Sequence, residues 1–208
     1  MAVCTVDGPC GNTTAHDLTD TIQAALDGCL AQHPGTRSAR VELQNPRPQV
    51  GVCVFRIMRS ITLVNDTTLV IGRNVTLFSG RAGADGFAPP NPRCTNSSSQ
   101  GLICCTDCSN IGIVGRDRAT SVIDGGGFSW WFNETGGRNP GGTSGWVEPY
   151  WYGFRPRTIL LDWSKDIYLA DLTVRNSPSG TLIFYFSDGI LVENIAALAP
   201  RWQGNTDG

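Results

Sequence analysis

Apolar residues recur at helical spacing in one place only. Ile22, Ala25, Leu26, Cys29 and Leu30 stand at i, i+3, i+4, i+7 and i+8, a single stripe over about three turns. Asp17, Thr19 and Asp20 offer cap oxygens ahead of it, Gly28 weakens it, and Pro34-Gly35 ends it. This pattern predicts one amphipathic helix over about residues 20–32. From Val52 onward the spacing changes. Val52–Phe55, Ile61–Val64, Thr68–Ile71 and Val75–Phe78 are short runs rich in β-branched residues. Asn65-Asp66, Gly72-Arg73-Asn74 and Ser79-Gly80 separate them. These polar corners are too short to hold a crossover helix.

A repeat decides how such strands are arranged. Setting the chain against itself with Thr158 on Thr181 places Ile159 on Leu182, Leu160 on Ile183 and Leu161 on Phe184. Trp163 then falls on Phe186, Ile167 on Ile190, Tyr168 on Leu191, Leu169 on Val192, Leu172 on Ile195 and Val174 on Ala197. Ala170 against Glu193 breaks the match, while Ser164 falls on Ser187 and Asp171 on Asn194 at the corners. Asp107–Ile111 reads as an earlier copy, with Asp107 set on Asp162. A period of this size means stacked supersecondary units. Three short strands and no helix per unit fit one coil of a right-handed parallel β-helix, in which each coil buries its inward side chains only by stacking on the next. The fold class expected is therefore all-β, a single right-handed parallel β-helix domain over 1–208, with coils over about 41–208. The N-terminal α-helix is expected to cap the open first coil and shield its strand edges. Ile159, Leu161, Ile167, Leu169, Leu172, Val174, Leu182, Ile190, Val192 and Ile195 form the expected inward set. A leucine-rich repeat is the rival for such a period, but its Leu and Asn/Cys spacing is absent.

Two stretches interrupt the coils. Residues 80–101 are rich in Gly, Pro, Asn and Ser; residues 125–156 hold Trp130, Trp131, Trp146, Tyr150 and Trp151. On a stacked-coil fold, insertions emerge at corners and can wall a groove.

Composition narrows the class. Only 16% of residues are charged and the net charge is −2, so no basic excess points to nucleic acid. No apolar run is long enough to form a membrane helix. All eight Cys lie between Cys4 and Cys108, in the first part of the chain, which suits disulfides in an oxidising compartment. Five Asn-x-Ser/Thr sequons, at Asn12, Asn65, Asn74, Asn96 and Asn133, exceed the about two expected by chance. Both features suggest a secreted glycoprotein, although residues 1–10 show no secretory leader.

Three groups could carry chemistry. Ile123-Asp-Gly-Gly-Gly127 leads into Trp130 and Trp131, whose rings would either stack on sugars in a groove or pack against the outside of the coils. Asn205-Thr206-Asp207-Gly208 falls at a corner where a further coil begins, and an Asp held on a rigid surface suits a general base. Cys104-Cys105-x-x-Cys108 has zinc-like spacing but no second pair and no placed His, so disulfides or buried thiols are preferred to metal.

Taken in order, these segments resemble the glycoside hydrolase family that contains the polygalacturonases. Asp17–Asp27 resembles its cap helix, Ile123–Trp131 its I-D-G-x-G-x-x-W-W segment and Arg155-Pro156-x-x-Ile159 its R-P-x-x-I. Asn176-Ser177-Pro178 resembles its N-S-P corner, and Asn205-Thr206-Asp207 its N-T-D motif. The resemblance implies inverting hydrolysis of pectin-type polysaccharide, with Asp207 as a catalytic, water-activating carboxylate and Asn205, Trp130 and Trp131 at the substrate. It implies no metal, no cofactor, no nucleic-acid or membrane partner, an extracellular or cell-wall location, and a monomer at full length. The family's D-D, G-H-G and R-I-K motifs are not among the 208 residues. The chain is therefore expected to be an N-terminal piece that is inactive by itself. A non-catalytic carbohydrate-binding or cell-surface β-helix, or a pectate lyase, are the alternatives.

Overall fold

The computed structural model describes residues 1–10, 16–80, 101–128 and 156–200. Its strands fall into three sheets, each visited once per coil. Sheet I contains β1 (Ala2–Asp7), β2 (Ala39–Gln44), β5 (Thr67–Ile71), β8 (Ser109–Gly115), β11 (Lys165–Ala170) and β14 (Asp188–Glu193), in that spatial order. Sheet II contains β3 (Cys53–Ile57), β6 (Val75–Ser79), β9 (Ser121–Asp124), β12 (Thr173–Arg175) and β15 (Ala196–Leu198). Sheet III contains β4 (Ile61–Thr62), β7 (Gly101–Thr106), β10 (Arg157–Asp162) and β13 (Leu182–Tyr185). From β2 on, the chain runs sheet I, II, III and back to I. Every ladder between these strands is parallel. The fold is a parallel β-helix.

The register read from the repeat holds pair by pair. Ile159 faces Leu182, Ile167 faces Ile190, Leu169 faces Val192 and Val174 faces Ala197. Like stacks on like inside: Val41, Leu69, Ile113 and Leu169 form one continuous, fully buried file along sheet I. The corners stack as well. The Ser164 N–H donates to Ser187 Oγ at 3.1 Å, and Asn194 Nδ2 donates to Asp171 Oδ1 at 2.6 Å. Trp163 and Phe186 stack with ring centroids 4.5 Å apart. Asp107, Trp163 and Phe186 occupy one corner of successive coils, and all three have φ between 50° and 58°. Large side chains rarely adopt that conformation, so the coil's path imposes it.

Three expectations need correction. First, the earlier copy is shifted by one residue: Thr106, not Asp107, pairs with Asp162. Second, Ile190 and Val192 stack as expected but are 39% and 40% exposed. They lie on β14, the last strand of sheet I, which has no described neighbour on its outer side. Third, residues 2–7 form a strand. Ala2 and Val6 point inward from β1, which adds in register to β2 through Ala2–Ala39 and Val6–Leu43.

The helix α1 covers Thr19–Gly28, four residues shorter at its C-terminal end than the stripe suggested. Its Ile22 and Leu26 are fully buried in the main core, and it packs on β1 and β4. Past Gly28 the chain continues in turns, with the Gln32 N–H still donating to Gly28 O. Disulfides tie this end together. Cys4 of β1 bonds Cys29 beside α1, and Cys10 bonds Cys53 at the start of β3.

Candidate functional site

Both interrupting segments leave the coils at the same corner. One runs from the end of β6 at Ser79 to β7, the other from the end of β9 at Asp124 to β10. Since β6 pairs with β9 and β7 with β10, their roots lie on neighbouring coils, side by side between sheets II and III. In the following coil, residues 176–181 alone close this corner between β12 and β13.

At the root of the second segment lies a polar clamp. Asp124 ends β9 and is 7% exposed. Its Oδ2 accepts from Arg175 Nε at 2.8 Å and from Asn176 Nδ2 at 3.1 Å, while Oδ1 accepts from the Gly126 N–H at 3.0 Å. A buried carboxylate is tolerable only when paired and hydrogen-bonded in this way. The backbone reinforces the clamp: the Gly125 N–H donates to Arg175 O at 2.9 Å, and the Gly127 N–H to Asn176 O at 2.7 Å.

Gly126 has to be glycine. Its φ is +63°, and a Cβ there would lie 2.0 Å from the carbonyl oxygen of Ser79 on the preceding coil. One coil further along, Thr158 Oγ1 donates to Ser177 Oγ at 2.8 Å, and Ser177 Oγ donates to Gly180 O at 2.8 Å; both hydroxyls are buried. The I-D-G-G-G and N-S-P segments and the residues around Ile159 therefore meet at one place. Past the clamp, Phe128 is 62% exposed.

Next to this corner lies sheet III. Successive residues of a strand face opposite sides, and this sheet shows it. Cys105 and Leu161 belong to the main core, while Cys104 and Leu160, with Ile183 packed on them, form a second apolar cluster on the other face. Cys105 is disulfide-bonded to Cys108, and Cys104 is also disulfide-bonded. The thiolates that zinc would need are thus consumed. Among the described residues, Cys4, Cys29 and His33 also converge, but Cys4 and Cys29 are bonded to each other.

The proposed site residues Trp130, Trp131, Asn205 and Asp207 lie outside the described residues. Sequence reasoning misses the contact of Asp124 with Arg175 and Asn176. A signal for it exists, since both motifs are visible in the chain. The insertion between β9 and β10 conceals the offset that pairs Asp124 with Arg175.

Comparison with known proteins adds to this geometry. No family model matches the chain. A polygalacturonase of Juniperus ashei is 37% identical to it over 92 residues, 43% of this chain and 16% of that one. A polygalacturonase of Chamaecyparis obtusa is 34% identical over 92 residues, with the same coverage. The chain is polygalacturonase-like. The polygalacturonase of Erwinia carotovora ssp. carotovora superposes with a TM-score of 0.69 at 22% identity, over 100% of this chain and 51% of that one. At that identity the superposition speaks for the fold, and the match to the curated relatives spans under a fifth of their length. No described helix of this polygalacturonase-like chain is long and apolar enough to cross a membrane.

Proposed function

We propose that the protein is a glycoside hydrolase acting on pectin-type polysaccharide, working outside the cell or at the cell wall. The observation that carries this reading is the 34–37% identity to polygalacturonases, a likeness of sequence and not of fold alone. The shared corner is consistent with it: two long segments are rooted on adjacent coils between sheets II and III. Trp130 and Trp131, two and three residues beyond Phe128, would offer ring faces to sugar C–H bonds.

Asp207 is the water-activating carboxylate in this reading, with Asn205 beside it at the substrate. Asn205 follows Leu198 by seven residues, the same step that separates Arg175 of β12 from Leu182 of β13. Inverting hydrolysis needs a second carboxyl group roughly 6.5–9.5 Å away across the bond. The motifs that supply it in the family are not among these 208 residues, so the 208-residue chain is expected to release no reducing ends from polygalacturonate. Turnover above blank by this chain refutes that expectation. Expressed together with any downstream coding sequence, the protein should cleave polygalacturonate, and Asp207→Asn should abolish cleavage while sparing binding. Near-normal turnover of that variant removes Asp207 from the mechanism.

A further inference from the structure

Of the five sequons, Asn65 and Asn74 lie among the described residues, and their surroundings differ. Asn65 sits in the turn ahead of β5 and is exposed. Its Oδ1 accepts the backbone N–H of Ser109, in the next coil, at 2.9 Å. A backbone N–H can only donate, so the amide's orientation is fixed: the oxygen is engaged and Nδ2 points elsewhere. No described residue accepts a hydrogen bond from that nitrogen. Asn74 is half-buried with φ +53°. Its carbonyl accepts from Cys53 N–H at 2.9 Å and from Asn45 Nδ2 at 3.3 Å, in a corner packed from two sides.

Beside Asn65 runs an open groove of about 770 Å³ between α1 and the β4–β5 and β7–β8 corners. The partly exposed Leu30 and Val64 supply an apolar lining, and Asp27 and Asp107 supply carboxylates. That combination suits an N-acetylhexosamine, which has a C–H face, an acetyl methyl and a hydroxyl-bearing edge.

We propose that Asn65 carries an N-linked oligosaccharide whose first sugars lie along this groove. The proposal rests on the reading of the protein as secreted. In the transfer, Asn65 Nδ2 attacks the anomeric carbon of the reducing-end N-acetylglucosamine of a lipid-diphosphate-linked oligosaccharide. The C–N bond forms, the C–O bond to phosphate breaks, the lipid diphosphate leaves, and Nδ2 loses one proton. The product amide keeps its carbonyl oxygen, so the hydrogen bond from Ser109 survives modification. The corner already uses the atom that glycosylation spares and leaves free the atom that it consumes.

The test is to send the 208-residue chain through a eukaryotic secretory pathway behind a foreign leader, which separates the claim from the protein's native location. Secreted material is digested, and glycans are released in heavy-oxygen water by an amidase that converts each glycosylated Asn to a labelled Asp. The expected result is that most of the Asn65 peptide carries the isotope label. A bare Asn65 peptide beside occupied sequons elsewhere overturns the proposal while leaving secretion intact; a secreted chain with no occupied sequon overturns it as well. If the native protein is found only inside cells, it is the reading of secretion that fails. For the groove, amide exchange over residues 26–30 is compared before and after enzymatic deglycosylation. Protection should fall severalfold on removal, and unchanged exchange overturns the seating of the sugars.

Discussion

Replacing Asp124 by Ala should destabilise the coils by about 3 kcal/mol. Truncation removes the charged acceptor of the buried Gly126 N–H, and a hydrogen bond to a charged group contributes roughly 1.5–3 kcal/mol. Asn176 loses both of its bonds to the carboxylate, at 3.1 and 3.2 Å, and is only partly able to turn to water, so about 1 kcal/mol more is expected. Arg175 contributes least. Its side chain is 44% exposed and regains solvent once the pair is broken, as surface pairs worth about 0–1 kcal/mol do. Asp124→Asn keeps one acceptor oxygen and adds a donor beside Arg175, so it should lose about 1–2 kcal/mol. Urea titration followed by circular dichroism reads the difference, provided that m is the same for all three proteins. A shift of about 3 kcal/mol is large against the usual total of about 5–15 kcal/mol, so the midpoint should move visibly. If Asp124→Ala and wild type agree within about 0.5 kcal/mol, the clamp does not hold this corner.

Gly126→Ala should cost more than about 2 kcal/mol in the same titration, because φ +63° and the Ser79 carbonyl both oppose a Cβ; a neutral result refutes the steric argument. Cys10→Ser opens a loop of 43 residues and should lower stability by about 4 kcal/mol under oxidising conditions, as calorimetry can check. Asp17 makes stability depend on acid. Partial burial pushes its carboxyl up, but the hydroxyl and N–H of Thr19, the N–H of Met58 and the charge of Arg59 outweigh burial and hold it below its ordinary value. Its contribution is therefore complete above the unfolded value of about 3.9 and disappears as pH falls through the lower folded value. Stability measured from pH 5 downward should fall less steeply in Asp17→Asn than in wild type, and parallel curves would falsify this assignment.

How much of this is legible in the chain depends on where the coils are unbroken. Between Thr158 and Leu198 each strand is followed by its stacking partner at one constant step, and the register read from the chain is the one observed. Further back, the steps along sheet I run from Ile111 to Ile167 and from Thr68 to Gly112, unequal to each other and much longer than the unbroken one. Periodicity gives no purchase there, which is why the 107–111 copy slips by one residue. The strand at 2–7 does carry the alternation of a half-buried strand, Ala2, Cys4, Val6, but six residues with no repeat partner of their own do not reveal which edge they join. The Asp124 clamp depends on the same hidden offset. As for exposure on β14, an inward-pointing position predicts burial only when a further coil lies against it.

The corner between sheets II and III has a consequence for how such a protein changes over time. Pairing along sheets II and III stays in step on both sides of it, whether the link is six residues, as after β12, or more than thirty, as after β9. Length is thus free to vary there without displacing a single ladder bond. A lineage built on this scaffold can acquire new specificities by insertion and deletion along one side of the stack, each projection lengthening or shortening independently of the one on the rung beside it. Alignments of related chains should collect their gaps at this corner, and a loop transplanted between two of them at Ser79 or Asp124 should arrive without its neighbours having to adapt.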